Sequence, residues 1–195
     1  VDPVRYFFLR ELPFGQDGSY SPDELVQSIH AALANDLGNL AQRSLSMVAR
    51  NLEGRVPAPG ALTAGDAALF AQADGLLNEA RAAMADFAVH NWLAAVWRVV
   101  ADANRYFAGE EPWVLRKTDP ARMATVLYVT LETVRQVAIL VQPATPDAVA
   151  KLLDLLAVPP HDRGFDRLGE GGRLVPGTAL PAPQPVFPRF VEEEK

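Results

Sequence analysis

Apolar residues recur every three or four positions through most of this chain, which is the spacing of one face of an α-helix. The clearest series are Phe70, Ala73, Leu77, Ala80, Met84 and Phe87, and then Leu93, Val96, Val100, Ala103 and Phe107. No stretch alternates apolar and polar residues as a half-buried strand does. The chain is therefore predicted to be all-α, a bundle of about five helices.

The first long helix has a clear start signal. In Ser21-Pro22-Asp23-Glu24 the serine can cap the helix, the proline fits its first position, and the glutamate completes a capping box. The helix is predicted to continue to Gly54, where a glycine can end it. Gly38 in its interior predicts a kink or a break near Asn35, because an interior glycine costs about 1 kcal/mol relative to alanine.

Further helix starts follow at regular intervals. Thr63 to Asp66 begins the helix with the first apolar series, and a turn near His90-Asn91 is expected to bring the next helix back antiparallel. Asp119-Pro120 begins a helix that is predicted to be the most buried element, since few of its residues are charged. Those charged residues are Arg122, Glu132 and Arg135. A short helix from Thr145 through Leu156 completes the bundle.

The two ends of the chain differ from its middle. Residues 1–20 are predicted to form a short helix and a Gly-containing loop, and residues 21–156 to form the bundle. The last 39 residues, 157–195, contain seven prolines and five glycines, which predicts an extended or irregular tail. Its apolar residues suggest that the tail lies along the helices. These residues are Leu174, Val175, Val186, Phe187 and Phe190.

Several classes of function are excluded or disfavoured. Apolar residues make up 49% of the 195-residue chain, which argues against disorder, and the absence of cysteine excludes disulfides and thiolate chemistry. His30, His90 and His161 are far apart, so no metal site is expected. No phosphate-binding glycine loop or nucleophile motif occurs. The long uncharged stretch Leu174 to Pro188 contains five prolines, so no membrane span is predicted. The chain begins with valine and has no signal-peptide pattern, which suggests a fragment of a longer protein.

Four stretches carry a resemblance to a known family. They are Arg5-Tyr6-Phe7-Phe8-Leu9-Arg10-Glu11, Pro13-Phe14-Gly15-Gln16-Asp17-Gly18, the run from Ala34 to Arg43, and Ala103-Asn104-Arg105-Tyr106 followed by Glu111-Pro112-Trp113. In order and spacing they resemble the methionyl-tRNA synthetases, from the segment after the family's lysine-rich loop to its anticodon-binding bundle. The resemblance covers most of residues 1–156, and the tail matches only loosely.

The resemblance implies a class I enzyme that uses ATP and Mg²⁺ to join methionine to its tRNA. It also implies that residues 1–20 join the bundle to a catalytic half that is not in this sequence, so this segment alone should bind neither ATP nor a metal and should not aminoacylate. The full enzyme is expected to be a cytoplasmic monomer that binds no membrane. In the family, the residues that match Asn39, Arg43 and Trp113 contact the CAU anticodon, chiefly its first base.

The same three residues can be interpreted physically. Asn39 and Arg43 are four residues apart and so share a helix face, with Asn35 one turn earlier. An amide and a guanidinium can complement the amino group and the two acceptors of cytosine, whereas uracil reverses the donor at position 4. Trp113 follows Pro112 in what is expected to be a short loop between helices, from which an indole can stack on an unpaired base.

The net charge of −6 is unusual for an RNA-binding protein, because phosphate contact normally needs basic residues. Recognition of one unpaired loop needs only a local basic patch. The basic residues that could contact phosphates are Arg5, Arg10, Arg50, Arg105, Arg116 and Lys117. Two other interpretations remain open from the sequence: the bundle of another class I synthetase, or a helical module that binds protein and no nucleic acid.

Overall fold

The computed structural model describes residues 1–18 and 20–187 and confirms the all-α prediction. Within these residues there are eight α-helices. They are α1 (Asp2–Glu11), α2 (Pro22–Ser28), α3 (Asn39–Asn51), α4 (Ala64–Ala85), α5 (Val89–Glu110), α6 (Pro112–Thr118), α7 (Pro120–Val141) and α8 (Pro146–Leu155). The bundle consists of the long helices α3, α4, α5 and α7 together with α8. Helix α1 packs against α5.

Helix α7 lies at the centre of the bundle, as its low charge predicts. It packs against α3, α4, α5 and α8, and almost every residue from Met123 onward is buried. By length and composition α7 could cross a membrane, but 94% of its most apolar window is buried inside the fold. Its apolar sequence is therefore explained by its central position in the core.

The helix starts that the sequence predicts are present. The Ser21 side chain accepts a hydrogen bond from the Glu24 backbone N–H, but the return bond from the Glu24 side chain that would complete the predicted capping box is not found among the described residues. Thr63 and Asp66 form a reciprocal capping box, with bonds of 3.3 and 2.8 Å. Asp119 accepts from the Arg122 N–H at 3.0 Å. Each cap satisfies backbone donors that have no partner within the helix.

The helix is not broken near Asn35, but its hydrogen-bonding pattern changes there. Residues Ile29–Gly38 form a π-helical segment that continues α2 directly into α3. Asn39 donates its backbone N–H to the Ala34 carbonyl, five residues back. Side chains of α5 bind this segment, since Trp97 donates to the Ala32 carbonyl at 3.2 Å and Asn104 to the Asp36 carbonyl at 3.3 Å. These long-range bonds hold the wider turn in place, and the glycine is accommodated without a break.

The turn between α4 and α5 lies earlier than predicted. The helix ends at Ala85, Phe87 adopts a left-handed conformation with φ of 55°, and the Ala88 N–H bonds to the Ala83 carbonyl. His90 and Asn91 therefore belong to the first turn of α5. The apolar series of α4 also stops at Ala80, because Met84 and Phe87 are exposed. The polar residues His90 and Asn91 led to the wrong position for the turn. Its actual position is set by the backbone hydrogen bond from Ala88 to Ala83.

The described part of the tail, through Phe187, runs over the bundle. Leu174 is buried, and its backbone is held by Tyr128 and Glu132 of α7. Val186 and Phe187 pack against the core. Val175 was expected to pack as well but is 68% exposed, at the first position of a turn in which the Thr178 N–H donates to the Val175 carbonyl. Phe190 lies outside the described residues.

A buried ion pair fastens the tail to α7. Arg135 donates two hydrogen bonds to Glu132, at 2.9 and 2.7 Å, and both side chains are almost fully buried. Glu132 also accepts from the Leu174 N–H at 3.0 Å, and Arg135 donates to the Arg167 carbonyl at 2.8 Å. Glu132 and Arg135, the two charged residues inside the most buried helix, therefore hold the tail against α7.

Candidate nucleic-acid interface

The Arg43 side chain joins the two helices that carry Arg43 and Trp113, two of the three predicted site residues. Its guanidinium carbon lies 5.0 Å from the centre of the Phe107 ring and 5.4 Å from the centre of the Trp113 ring. The two rings are 6.1 Å apart and inclined at 57°. Both distances are within the range of cation–π attraction. The structure thus brings together Arg43 of α3 and Trp113 of α6, which are 70 residues apart in the chain.

Asn39 is the first residue of α3, and its side chain is exposed. It lies about one helical turn, roughly 6 Å along the axis, before Arg43. The opposite face of α3 is buried in the bundle through Leu40, Ser44 and Val48. This division of α3 leaves the Asn39 amide facing solvent near the half-buried Arg43 guanidinium. Within the described part of the chain, neither side chain pairs with a carboxylate.

Trp113 does not lie in a loop, as predicted, but in the first turn of the short helix α6. Glu111 has a left-handed backbone, with φ of 47°, and reverses the chain between α5 and α6. Pro112 then fits the first helical position and is buried. The indole remains 38% exposed. A ring on a helix is more rigidly oriented than a ring on a loop, which suits a stacking surface.

A hydrogen-bonded network around the buried Asp66 supports the turn that carries Trp113. Asp66 of α4 is fully buried and accepts hydrogen bonds from Tyr106 at 2.6 Å and from Arg122 at 2.5 and 2.8 Å. Arg122 also binds Glu110, at the last turn of α5, at 3.0 Å. The network therefore ties α4 and α7 to the end of α5, immediately before Trp113.

The pKa values within this network follow from its geometry. Burial alone would raise the pKa of Asp66, but the hydrogen bonds from Arg122 and Tyr106 outweigh it and lower the pKa to about 2. Burial and the bond to the Asp66 carboxylate raise the pKa of Tyr106. The same carboxylate raises the pKa of Arg122. Asp66 is consequently ionised and Tyr106 neutral across the physiological range.

Some of the basic residues that could contact phosphates already bind other groups of the fold. Arg5 donates to the Pro143 carbonyl at 2.6 Å, and Arg105 forms an ion pair with Asp102 on its own helix. Arg116 and Lys117 are exposed in the last turn of α6, and no carboxylate among the described residues pairs with them. Among the described residues, Arg116 and Lys117 are therefore exposed cations that can contact phosphates near Trp113.

Sequence reasoning missed two contributors to this region. Phe107 was assigned only to the buried stripe of α5, yet its ring also lies under the Arg43 guanidinium. Phe187 of the tail lines the same cleft as Asn35 and Asn39. Neither contact has a local sequence signal, because each joins distant parts of the chain. Across residues 1–18 and 20–187, no cluster of three or more metal-ligating side chains is found.

Comparisons with known proteins show the family to which the chain belongs. Residues 56–195 match the family model described as the anticodon binding domain of methionyl tRNA ligase, and residues 1–45 match the model described as tRNA synthetases class I (M). The methionine–tRNA ligase of Brucella suis is 61% identical over 196 aligned residues, covering 100% of this chain and 38% of the relative. That of Rhizobium meliloti is 58% identical, with the same coverage.

Solved structures give the same result. The apo form of Mycobacterium tuberculosis methionyl-tRNA synthetase superposes with a TM-score of 0.94 at 54% identity, covering 99% of this chain and 39% of that one. The same organism's enzyme in complex with methionyl-adenylate gives a TM-score of 0.93 at 56% identity, covering 96% and 37%. The chain spans well under half the length of these relatives. Since the anticodon-domain model alone matches more than half of it, this chain belongs to the methionyl-tRNA synthetase family.

Proposed function

We propose that this chain binds the CAU anticodon of a methionine-accepting tRNA. The observation that carries the proposal is the contact between Arg43 and Trp113, which places a hydrogen-bonding cation beside an exposed indole. Asn39 adds an exposed amide one helical turn away. An unpaired base stacked on the indole would have both polar groups within reach of its edge.

The chemistry of these groups favours cytosine over uracil at the first position. The Asn39 carbonyl can accept from the cytosine amino group, and the Arg43 guanidinium can donate to the two cytosine acceptors. Uracil presents an acceptor where cytosine has the amino donor, so the Asn39 carbonyl would lose its partner. Stacking on Trp113 adds about 1 to 3 kcal/mol that does not depend on base identity.

The activity of the whole protein is part of the same proposal. We infer an ATP-dependent ligase that attaches methionine to tRNA, with ATP, Mg²⁺ and methionine bound by the portion of the relatives that this chain does not span. Residues 1–20 would join that portion to the bundle of residues 21–156, and residues 157–195 would form the tail. The chain by itself would bind neither ATP nor metal and would not aminoacylate. The enzyme would act as a cytoplasmic monomer without contact to a membrane.

Fluorescence anisotropy with a labelled anticodon hairpin tests the proposal. The chain should bind a CAU hairpin more tightly than a UAU hairpin, and Trp113→Ala should weaken CAU binding about tenfold. Phe14→Ala is the control, because Phe14 is a 74%-exposed aromatic residue in the N-terminal segment.

Two results would contradict the proposal. If Trp113→Ala and Arg43→Ala left hairpin affinity unchanged, the chain would be a helical module for protein binding. If they lowered the affinity for all hairpins by the same factor, the surface would bind phosphates without reading the anticodon.

A further inference from the structure

Helix α6, which carries Trp113, is too short to hold its own shape. It has seven residues, and isolated helices shorter than about 12 residues are marginal in water. The helix packs against α7 and also contacts the end of α5. The orientation of the exposed indole therefore depends on the contacts that fix α6 between these two helices.

An ion pair joins the two chain segments that flank α6. Glu110 is the last residue of α5, and Arg122 lies in the first turn of α7. The Arg122 Nη2 atom lies 2.8 Å from the Glu110 Oε2 atom, and the Arg122 Nε donates to the same oxygen at 3.0 Å. The two residues are 12 positions apart, and the whole of α6 lies between them. The pair therefore closes a loop that contains the helix.

Asp66 fixes the Arg122 end of this pair. Its buried carboxylate accepts from Nη1 at 2.5 Å and from Nη2 at 2.8 Å, so both of its oxygens bind the guanidinium. Two parallel bonds to a carboxylate define the orientation of a guanidinium as well as its position. The backbone N–H of Arg122 is held too, by the Asp119 side chain at 3.0 Å. Glu110 is therefore attached to a group that the fold has already oriented.

The same carboxylate fixes the part of α5 that the indole contacts. Tyr106 donates to Asp66 at 2.6 Å. The next residue, Phe107, is buried, and its ring centre lies 6.1 Å from that of Trp113. Asp66 thus holds the last turns of α5 and, through Arg122, the first turn of α7. The indole lies between these two fixed elements.

We propose that Glu110 and Arg122 are positioning residues for Trp113, and that their ion pair holds α6 so that the indole can stack on the first anticodon base. The inference rests on the proposed function. Without the pair, α6 would keep its packing on α7 but would lose the side-chain bond that fixes the spacing of its two ends. The indole would then adopt more orientations, and a base would have to immobilise the ring as it binds, which weakens the complex.

A double-mutant cycle with the CAU hairpin tests this role. Glu110→Gln keeps the length of the side chain and removes its charge, and it leaves the bonds between Asp66 and Arg122 in place. The variant should weaken CAU binding about threefold, the cost of ordering one side chain. It should have no further effect in a chain that already carries Trp113→Ala. Urea unfolding shows that each variant is folded under the assay conditions.

The matched control is Asp154→Asn. Asp154 pairs with Arg163, whose side chain is 13% exposed, close to the 16% of Arg122. This pair joins α8 to the tail and does not flank α6. Asp154→Asn should leave the hairpin affinity unchanged, with or without Trp113→Ala.

The fluorescence of Trp113 reports its environment without RNA. Trp92 and Trp97 are buried, so acrylamide reaches chiefly the Trp113 indole. Trp113→Phe identifies this component, because it should remove most of the sensitivity to acrylamide. Glu110→Gln should increase the quenching constant, whereas Asp154→Asn should not change it.

The possible results separate the two proposals. If Glu110→Gln binds the hairpin as tightly as the unmodified chain, or weakens binding by the same factor with and without Trp113→Ala, the positioning role is wrong even when CAU is preferred. An unchanged quenching constant would also overturn it. If the unmodified chain does not prefer CAU to UAU, the anticodon-binding function fails and this inference fails with it.

Discussion

The guanidinium of Arg43 lies 5.4 Å from the centre of the Trp113 ring, across a gap of 70 residues in the sequence. The contact orients the cation on the same surface that offers the indole for stacking. Phe107 supports the guanidinium from a second side at 5.0 Å. The arrangement holds a fork of N–H donors in place before any base arrives, which reduces the entropy lost on binding.

We expect that a lysine at position 43, in the variant Arg43→Lys, cannot replace arginine in binding the CAU hairpin. A lysine retains the positive charge but lacks the planar fork that can bond two acceptors of one base and stack on a ring. Affinity for the CAU hairpin should fall about tenfold, and the preference for CAU over UAU should largely disappear. Arg98→Ala is the control, because Arg98 pairs with Glu79 on an exposed surface of the α4 and α5 helices. Full discrimination by the lysine variant would show that charge alone is sufficient.

Asp66 should make the fold sensitive to acid. Its pKa in the folded chain is about 2, below the ordinary value of 3.8, so its carboxylate contributes stability above about pH 4 and loses it as the pH falls toward 2. The shift corresponds to about 2 kcal/mol at neutral pH. Urea unfolding of Asp66→Asn should show a loss of this size at pH 7, and the difference from the unmodified chain should shrink between pH 4 and pH 2.

The matched control for Asp66 is Asp86→Asn. Asp86 is exposed at the end of α4 and accepts no side-chain hydrogen bond from a described residue. Its substitution should leave the pH dependence unchanged. A difference between Asp66→Asn and the unmodified chain that stayed constant down to pH 2 would contradict the assignment of the acid sensitivity to this carboxylate.

The buried pair of Glu132 and Arg135 should be costly to break. Glu132→Gln removes the charge that compensates the buried guanidinium and weakens the acceptor for the Leu174 N–H, so the free energy of unfolding should fall by about 3 kcal/mol or more. Glu79→Gln interrupts the exposed pair with Arg98 and should cost less than about 1 kcal/mol. Urea denaturation of both variants gives the comparison. Equal losses would mean that the buried pair does not fasten the tail.

The salt dependence of hairpin binding should be shallow. A chain of net charge −6 has few cations near Trp113, chiefly Arg116 and Lys117, so about two or three phosphate contacts are expected. With single-stranded RNA, the slope of log K against log salt is about −0.7 per contact, which gives about −2. Arg116→Ala and Lys117→Ala should each reduce the slope by about 0.7 and weaken CAU and UAU hairpins alike.

Arg81 on α4 provides the matched control for these two variants, since it is exposed near the end of α4 that is remote from α6. Arg81→Ala should leave both the affinity and the slope unchanged. A slope steeper than about −5 would indicate extensive phosphate binding across the surface and would contradict recognition through one local patch.

Local signals account for what the sequence predicted correctly in the fold. The caps at Ser21, Thr63 and Asp119 act within three residues, so they are visible in a short window. The central position of α7 follows from its lack of charge. The turn at Phe87 was predicted at the wrong position. Its left-handed backbone accompanies a hydrogen bond from Ala88 to Ala83, and a phenylalanine in the sequence does not indicate such a conformation.

The sequence by itself determined that this chain is helical, where most helices begin, which helix is central, and that Asn39 and Arg43 share one face. Only the tertiary structure decided that Trp113 sits on a helix against Arg43, that Phe107 supports the same guanidinium, and that the tail closes a cleft with Phe187. The reason is the range of the forces involved. Caps and helical periodicity act over a few residues, whereas these contacts join segments 64 to 152 residues apart and form only when the whole core packs.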